Sequence, residues 1–171
     1  MLSVHNDVVR SIDNGQVSLL VLLDLSAAFD TVDHQILLSV LSDSFAVANN
    51  ALTWFTSYLT NRTQQFMYVV SCTSSFTVDC SVPQGSVLGP LKFVAYTEDI
   101  VQLADEHDTL SHLYADDTQL YDSCRPQDCI IIRTRLSNCI VDVALWCASR
   151  RLQLNAEKTE AIWFGSRGLR I

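Results

Sequence analysis

The segment Leu113-Tyr114-Ala115-Asp116-Asp117-Thr118-Gln119-Leu120-Tyr121 sets two adjacent carboxylates between apolar and aromatic flanks. Such flanks read as two short strands, with the Asp-Asp pair at the tight turn joining them. Neighbouring carboxylates repel each other, by roughly 4 kcal/mol at ~4 Å and an effective dielectric near ~20. A cation relieves that repulsion, and an all-oxygen donor set suits Mg²⁺ or Mn²⁺. The competing reading is a plain solvated turn, because aspartate is a common turn residue.

A third carboxylate bears on the choice. Residues 17–25 form an almost unbroken apolar run, as expected of a strand covered on both faces, and Asp24 sits at its C-terminal end. A strand end and a hairpin tip of one sheet can meet in space although some ninety positions separate them in sequence. Three converging carboxylates make a two-metal site for in-line phosphoryl transfer. One ion lowers the pKa of the attacking hydroxyl and the other holds the departing phosphate oxygens.

The elements needed to position these groups are legible in outline. Residues 1–14 read as a helix closed by Asn14-Gly15. Residues 32–45 and 49–59 have helical spacing, the first through Ile36, Leu37, Val40 and Leu41, the second through Leu52, Trp54, Phe55, Tyr58 and Leu59. Residues 62–71 and 74–82 are rich in Thr, Val, Phe and Tyr and read as a hairpin turning at Cys72-Thr73-Ser74. After Pro83-Gln84-Gly85-Ser86 a helix is expected over 87–104, then the acidic hairpin. Pro126 opens a long helix to about residue 150, with Ile130, Ile131, Leu136, Ile140, Val143 and Trp146 as its apolar set. A final strand is expected at 160–164. With no repeat or linker, one α+β domain is the simplest organisation.

Bulk properties restrict the function. The chain has 171 residues, 49% hydrophobic and 18% charged, which is a globular composition. The net charge of −8 argues against a self-sufficient nucleic-acid binder, which needs a basic surface to displace counterions. No apolar run approaches the ~20 residues of a membrane span, so no membrane partner is expected. No secretory leader is visible after Met1, so an intracellular, reducing setting is expected, in cytoplasm or nucleus. The six cysteines show neither a CxxC pair nor zinc spacing; Cys139 and Cys147 fall in an apolar helical pattern, where thiols act as small hydrophobes.

Four segments together carry a family resemblance. Leu22-Leu23-Asp24-Leu25-Ser26-Ala27-Ala28-Phe29-Asp30 resembles the first palm motif of reverse transcriptases of non-LTR (LINE-type) retrotransposons. Val82-Pro83-Gln84-Gly85-Ser86 is similar to their Gln-Gly motif, Tyr114-Ala115-Asp116-Asp117 to their aromatic-x-Asp-Asp box, and Leu154-Asn155-Ala156-Glu157-Lys158-Thr159 to the lysine motif that follows. The resemblance implies an α+β fold, a polymerase palm-type antiparallel sheet backed by helices, as part of a right-hand reverse transcriptase. It implies that Asp24 and Asp116 ligate both Mg²⁺ (or Mn²⁺) ions, that Asp117 supports them, and that the carbonyl of Leu25 is a further ligand. Lys158 would stand by the leaving pyrophosphate, and Phe29 under the incoming sugar, excluding a 2′-hydroxyl. Gln84 and Gly85 would contact the incoming nucleotide and the template base. The implied partners are an RNA or DNA template-primer and deoxynucleoside triphosphates.

The chain departs from the family pattern at three places. Ser81 replaces a usual glycine, Lys92 takes a usually apolar helix position, and Tyr96-Thr97-Glu98-Asp99 replaces aromatic-x-Asn-Asp. These suggest a diverged or decaying copy. Residues 1–171 are expected to be a partial reverse transcriptase domain, a palm core without most of the fingers or the thumb. On its own this segment should not extend a primer. The alternative is a catalytically inactive palm remnant with at most a protein- or nucleic-acid-binding role.

Overall fold

The computed structural model describes residues 2–82 and 86–166. The chain begins with α1 (Leu2–Asp13), β1 (Val17–Leu23) and β2 (Leu25–Ser26). It continues through α2 (His34–Asp43), α3 (Asn49–Leu59), the two-residue strands β3 (Thr63–Gln64), β4 (Met67–Tyr68), β5 (Ser71–Cys72) and β6 (Phe76–Thr77), and α4 (Leu88–Thr97). It closes with α5 (Asp99–Glu106), β7 (Leu110–Tyr114), β8 (Asp117–Cys124), α6 (Cys129–Ser149), β9 (Gln153–Leu154) and β10 (Glu160–Phe164). These elements form two compact units, one of Met1–Ser26 with Glu98–Ile171, the other of Ala27–Thr97.

The first unit is built on an antiparallel sheet of strand order β10-β1-β8-β7. β1 is central, which explains its composition: a strand with neighbours on both edges and cover on both faces must be apolar throughout. Val17, Leu19, Val21 and Leu23 are buried. On the alternate face Leu20 packs with Tyr121 and Phe164 against Val4, Val8 and Ile12 of α1, while Ser18 satisfies its buried hydroxyl on that of Ser123 at 2.8 Å. The Tyr121 hydroxyl donates to Asp7 at 2.8 Å. Burial, with that hydrogen bond and charge, pushes the phenol up to about 12. α6 packs against β8 and β1 through Ile132, Leu136, Cys139, Val143 and Cys147. Cys139 and Cys147 are buried as expected, and burial pushes both thiols up to about 11. Ile130 and Ile131, expected in the core set, are instead 65% and 60% exposed. The helix carries apolar residues on two faces, so periodicity alone did not discriminate between them.

The second unit gathers α2, α3 and α4 with a long irregular hairpin. Asp33 caps α2, its carboxylate accepting the Gln35 and Ile36 N–H groups at 2.9 and 3.0 Å. Leu37, Leu59, Phe93 and Tyr96 are fully buried. His34 is buried and its Nε2 lies 2.8 Å from the Ser81 carbonyl oxygen. The hairpin pairs β3 with β6 and β4 with β5. Its tip is Val69-Val70, with Val69 at φ +55°, and not Cys72-Thr73-Ser74. Two valines give no turn signal, whereas Thr and Ser do. The helix expected over 87–104 is interrupted at Glu98. The Thr97 hydroxyl bonds back to the Phe93 carbonyl at 3.0 Å, an arrangement that bends helices.

Candidate active site

Register assembles the acidic end of the sheet. Leu23 of β1 lies opposite Thr118 of β8 as the last pair of that ladder, so Asp24 follows directly at the strand end, next to the turn that opens β8 at Asp117. β7 and β8 pair up to Tyr114 and Asp117, leaving Ala115-Asp116 as a two-residue loop. Ala115 has φ +53°, the positive first loop position of the turns whose twist suits a hairpin. In a residue with a Cβ this conformation stores ~1 kcal/mol or more of strain. The expected hairpin with its acidic tip is thus present, with Asp116 in the loop and Asp117 opening β8.

The Asp24 backbone leaves the β1 ladder, and its carbonyl accepts the Asn155 N–H at 2.8 Å. Next to it Leu25, which is buried, pairs with Leu154 in the β2–β9 ladder. Asn155 also organises the turn that follows: its carbonyl accepts the Lys158 and Thr159 N–H groups at 3.2 and 3.1 Å, and its side-chain oxygen accepts the Glu157 N–H at 3.2 Å. The turn delivers the Lys158 ammonium to 3.6 Å from the Asp24 carboxylate. Asn155 therefore ties the backbone of Asp24 to the loop of Lys158. Sequence reasoning assigned it no role; an asparagine opening a turn directly after a short strand was the available signal.

The Asp24–Lys158 pair is open to solvent, with side chains 36% and 69% exposed, so as a surface pair it contributes only about 0–1 kcal/mol to stability. Among the described residues no three acidic, His or Cys side chains already stand close enough together to hold a metal ion. The donors at the sheet end are nevertheless hard carboxylate oxygens on short, partly exposed side chains, which is the chemistry that Mg²⁺ or Mn²⁺ requires.

In the second unit Phe29 is partly buried, its ring centroid 4.7 Å from that of Phe93. Gln84 and Gly85 lie outside the described residues. The three departures noted in the sequence are informative here. Ser81, at the usual glycine position, has φ +89°. Lys92 is 3% exposed in α4, with its Nζ 3.4 Å from the Tyr58 ring centroid and no hydrogen-bond partner among the described residues. Burial, and then the charge of Arg62, lower its amine to about 8. Within the divergent Tyr96–Asp99 stretch, Asp99 in the first unit binds the Arg150 guanidinium.

An antiparallel sheet faced by helices, with a carboxylate at the end of its central strand and two more on the adjoining hairpin, defines a polymerase palm-type fold. Comparison with solved structures agrees. The chain superposes on Candida tropicalis telomerase in complex with a fragment of telomeric RNA, with a TM-score of 0.72 and 16% identity over 98% of this chain and 29% of that one. For apo telomerase of the same organism, truncated from its C-terminal domain, the TM-score is 0.69 and the identity 15%, over 98% of this chain and 34% of that one. Two Drosophila melanogaster proteins are related in sequence. A probable RNA-directed DNA polymerase from transposon BS is 30% identical over 162 residues, 89% of this chain and 17% of that protein. The RNA-directed DNA polymerase from mobile element jockey is 27% identical over 169 residues, 96% of this chain and 18% of that protein. Residues 3–166 match the family model described as reverse transcriptase (RNA-dependent DNA polymerase). The chain belongs to that family, and the mobile-element resemblance carried by its four motifs is borne out. It spans less than a fifth of the length of these curated relatives.

Proposed function

We propose that this chain is the palm core, a partial domain, of a retroelement reverse transcriptase that adds deoxynucleotides to a primer 3′-hydroxyl as directed by an RNA or DNA template. The observation that carries the reading is the register placing the end of β1 beside the Asp116-Asp117 hairpin, with Lys158 held 3.6 Å from Asp24. Asp24 and Asp116 would hold two Mg²⁺ (or Mn²⁺) ions, aided by Asp117 and the Leu25 carbonyl. When bound, such ions lower the pKa of the attacking hydroxyl and neutralise charge on the phosphates. Lys158 serves as a mobile cation: its long exposed side chain can exchange Asp24 for the triphosphate and stabilise or protonate the leaving pyrophosphate. Asn155 fixes the backbone from which it reaches. Phe29, anchored on Phe93, lies under the sugar and excludes a 2′-hydroxyl. Gln84 and Gly85 meet the nucleotide and template base, glycine permitting close backbone approach.

A second reading, an inactive palm remnant, has its own supporting observation in the unpaired buried ammonium of Lys92. One experiment separates the two readings. Residues 3–166 are grafted in place of the matching segment of the jockey polymerase, and Mg²⁺-dependent primer extension is measured. The catalytic reading expects extension by the graft and a loss of about a thousand-fold or more in Asp116→Asn, with the fold unchanged by circular dichroism. A folded but inert graft supports the remnant. A graft that extends equally well with Asp116→Asn removes the two-metal assignment.

A further inference from the structure

The second unit, Ala27–Thr97, contains a single lysine and a single arginine, Lys92 and Arg62. The fold brings both to one aromatic ring. α3 presents Trp54, Phe55 and Tyr58 as a group, with the Trp54 and Tyr58 rings stacked at a centroid separation of 5.4 Å. Lys92 reaches in from α4 and sets its Nζ 3.4 Å from the Tyr58 centroid and 5.6 Å from that of Phe55. Arg62, just beyond the end of α3, has its Cζ 5.9 Å from the same Tyr58 centroid.

These ring contacts leave both cations short of acceptors. The Lys92 Nζ and the buried Nη1 of Arg62 each lack a hydrogen-bond partner among the described residues, and neither cation pairs with a carboxylate there. An aromatic face offsets part of the desolvation of an ammonium, but it meets only one direction of a group with three donors. The two charges also repel: after burial itself, Arg62 is what lowers the Lys92 amine. An anion touching both would supply acceptors and cancel the repulsion. Two cations match a doubly charged group better than a carboxylate or a chloride. A planar guanidinium beside a compact ammonium is also a donor pair suited to phosphate oxygens. We propose that Lys92 and Arg62, set over Tyr58, form a binding site for a dianionic phosphate group, free or at the end of a nucleotide. Access is through the solvent side, where Arg62 is partly exposed and Trp54 half-exposed. The site uses no residue of the proposed polymerase centre and does not depend on that reading.

Titration of sodium phosphate into the isotope-labelled 171-residue chain at pH 7 tests this, with sodium chloride holding the ionic strength constant. The Trp54 indole and the backbone amides around Arg62 are followed by NMR. They should shift saturably, with a dissociation constant of about 0.1–5 mM. Lys92→Leu should lose at least about tenfold in affinity while staying folded, because removing an uncompensated buried charge favours the fold. Arg62→Gln should weaken binding about tenfold. A nucleoside 5′-monophosphate that binds more tightly than inorganic phosphate assigns the site to a nucleotide, and equal affinity assigns it to free phosphate. A folded wild type without a saturable shift overturns the proposal. So does an unchanged response in Lys92→Leu, or an equal response to acetate.

Discussion

The two units differ in how fully their sequences are reconciled with their structures. In the first, local preference and tertiary position agree along the central strands, although Ala115, Asp108 and Arg151 take positive φ and the buried Trp146 Nε1 lacks a hydrogen-bond partner among the described residues. The apolar run of β1 lies at the centre of the sheet, the polar groups of Ser18 and Tyr121 find partners, and register carries the carboxylates to one end. In the second, a cation is buried without a hydrogen-bond acceptor among the described residues, a serine occupies a left-handed conformation, and a hairpin exposes Phe66, Met67, Tyr68, Val69 and Val70 in succession. Lys92 and Ser81, two of the three departures from the family pattern, fall in this unit, and each has a physical cost. The frame of the proposed chemistry is thus better preserved than the segment that follows it in the chain.

The largest effect should come from the well-reconciled unit. Leu120 is fully buried in β8 beside β1, so Leu120→Ala should lose about 3–4 kcal/mol through lost transfer energy and an unfilled cavity. The corresponding truncation in the other unit, Phe76→Ala on the 52% exposed hairpin, should change stability by less than about 0.5 kcal/mol. Urea unfolding followed by circular dichroism measures both. Equal losses would break the comparison.

Lys92 sharpens it next, and with the opposite sign. Its folded pKa of about 8 lies below the ordinary 10.5, so between those values the unfolded chain binds the extra proton. The destabilisation is complete below about pH 8, shrinks as pH rises through the window, and is gone above 10.5. The full difference is about 3 kcal/mol, offset in part by the contact with Tyr58. Lys92→Leu, similar in volume and without the charge, should therefore gain about 1–3 kcal/mol at pH 7. That gain should diminish as pH rises toward 10.5. The first unit responds the other way: Cys139, Cys147 and Tyr121 have raised folded values. Their stabilisation is whole below their ordinary pKa values and is lost as pH climbs through about 11 and 12. Trp54 reports on the second unit and Trp146 and Trp163 on the first, so single-tryptophan variants melted at pH 7.5 and 9.5 read the two slopes separately. A Lys92→Leu gain that is constant with pH would mean that the amine is not held in its neutral direction by burial.

How much of this was legible in the sequence depends on what each signal reports. β1, the acidic hairpin, α3 and β10 fell where composition and spacing put them, because there period and burial point to the same answer. The hairpin tip was missed because Val69 takes a turn conformation against its preference. The buried face of α6 was misjudged because two faces compete for one period. At the site, the residue types announced Asp24, Asp116 and Asp117, whereas Lys158 entered only through the family resemblance; the strand pairing brings the end of β1 beside the acidic hairpin. The turn around Asn155 left a local signal in its asparagine, but its tie to Asp24 was invisible because that is one backbone hydrogen bond between segments far apart in sequence. Lys92 was marked as a departure in the sequence, but the absence of an acceptor for it is a property of packing.

The smallest effect is the most local. Ser81 sits at φ +89°, a region that disfavours side chains with a Cβ and that glycine enters freely. The conformation is imposed from both sides: its N–H donates to the Val32 carbonyl at 2.8 Å, and its own carbonyl oxygen lies 2.8 Å from His34 Nε2. The residue cannot relax without giving up contacts that join it to the start of α2. Ser81→Gly keeps those backbone groups and removes the Cβ strain, while the more flexible glycine raises the entropy of the unfolded chain by up to about 1 kcal/mol. Strain of about 1–3 kcal/mol outweighs that term, so a net gain of about 1 kcal/mol is expected. Ser81→Ala separates strain from the serine hydroxyl: it should match wild type, since it retains the Cβ. Paired urea melts of the three proteins decide the matter. If Ser81→Ala proves as stable as Ser81→Gly, or the glycine variant loses stability, backbone strain at this position is not what distinguishes the second unit from the first.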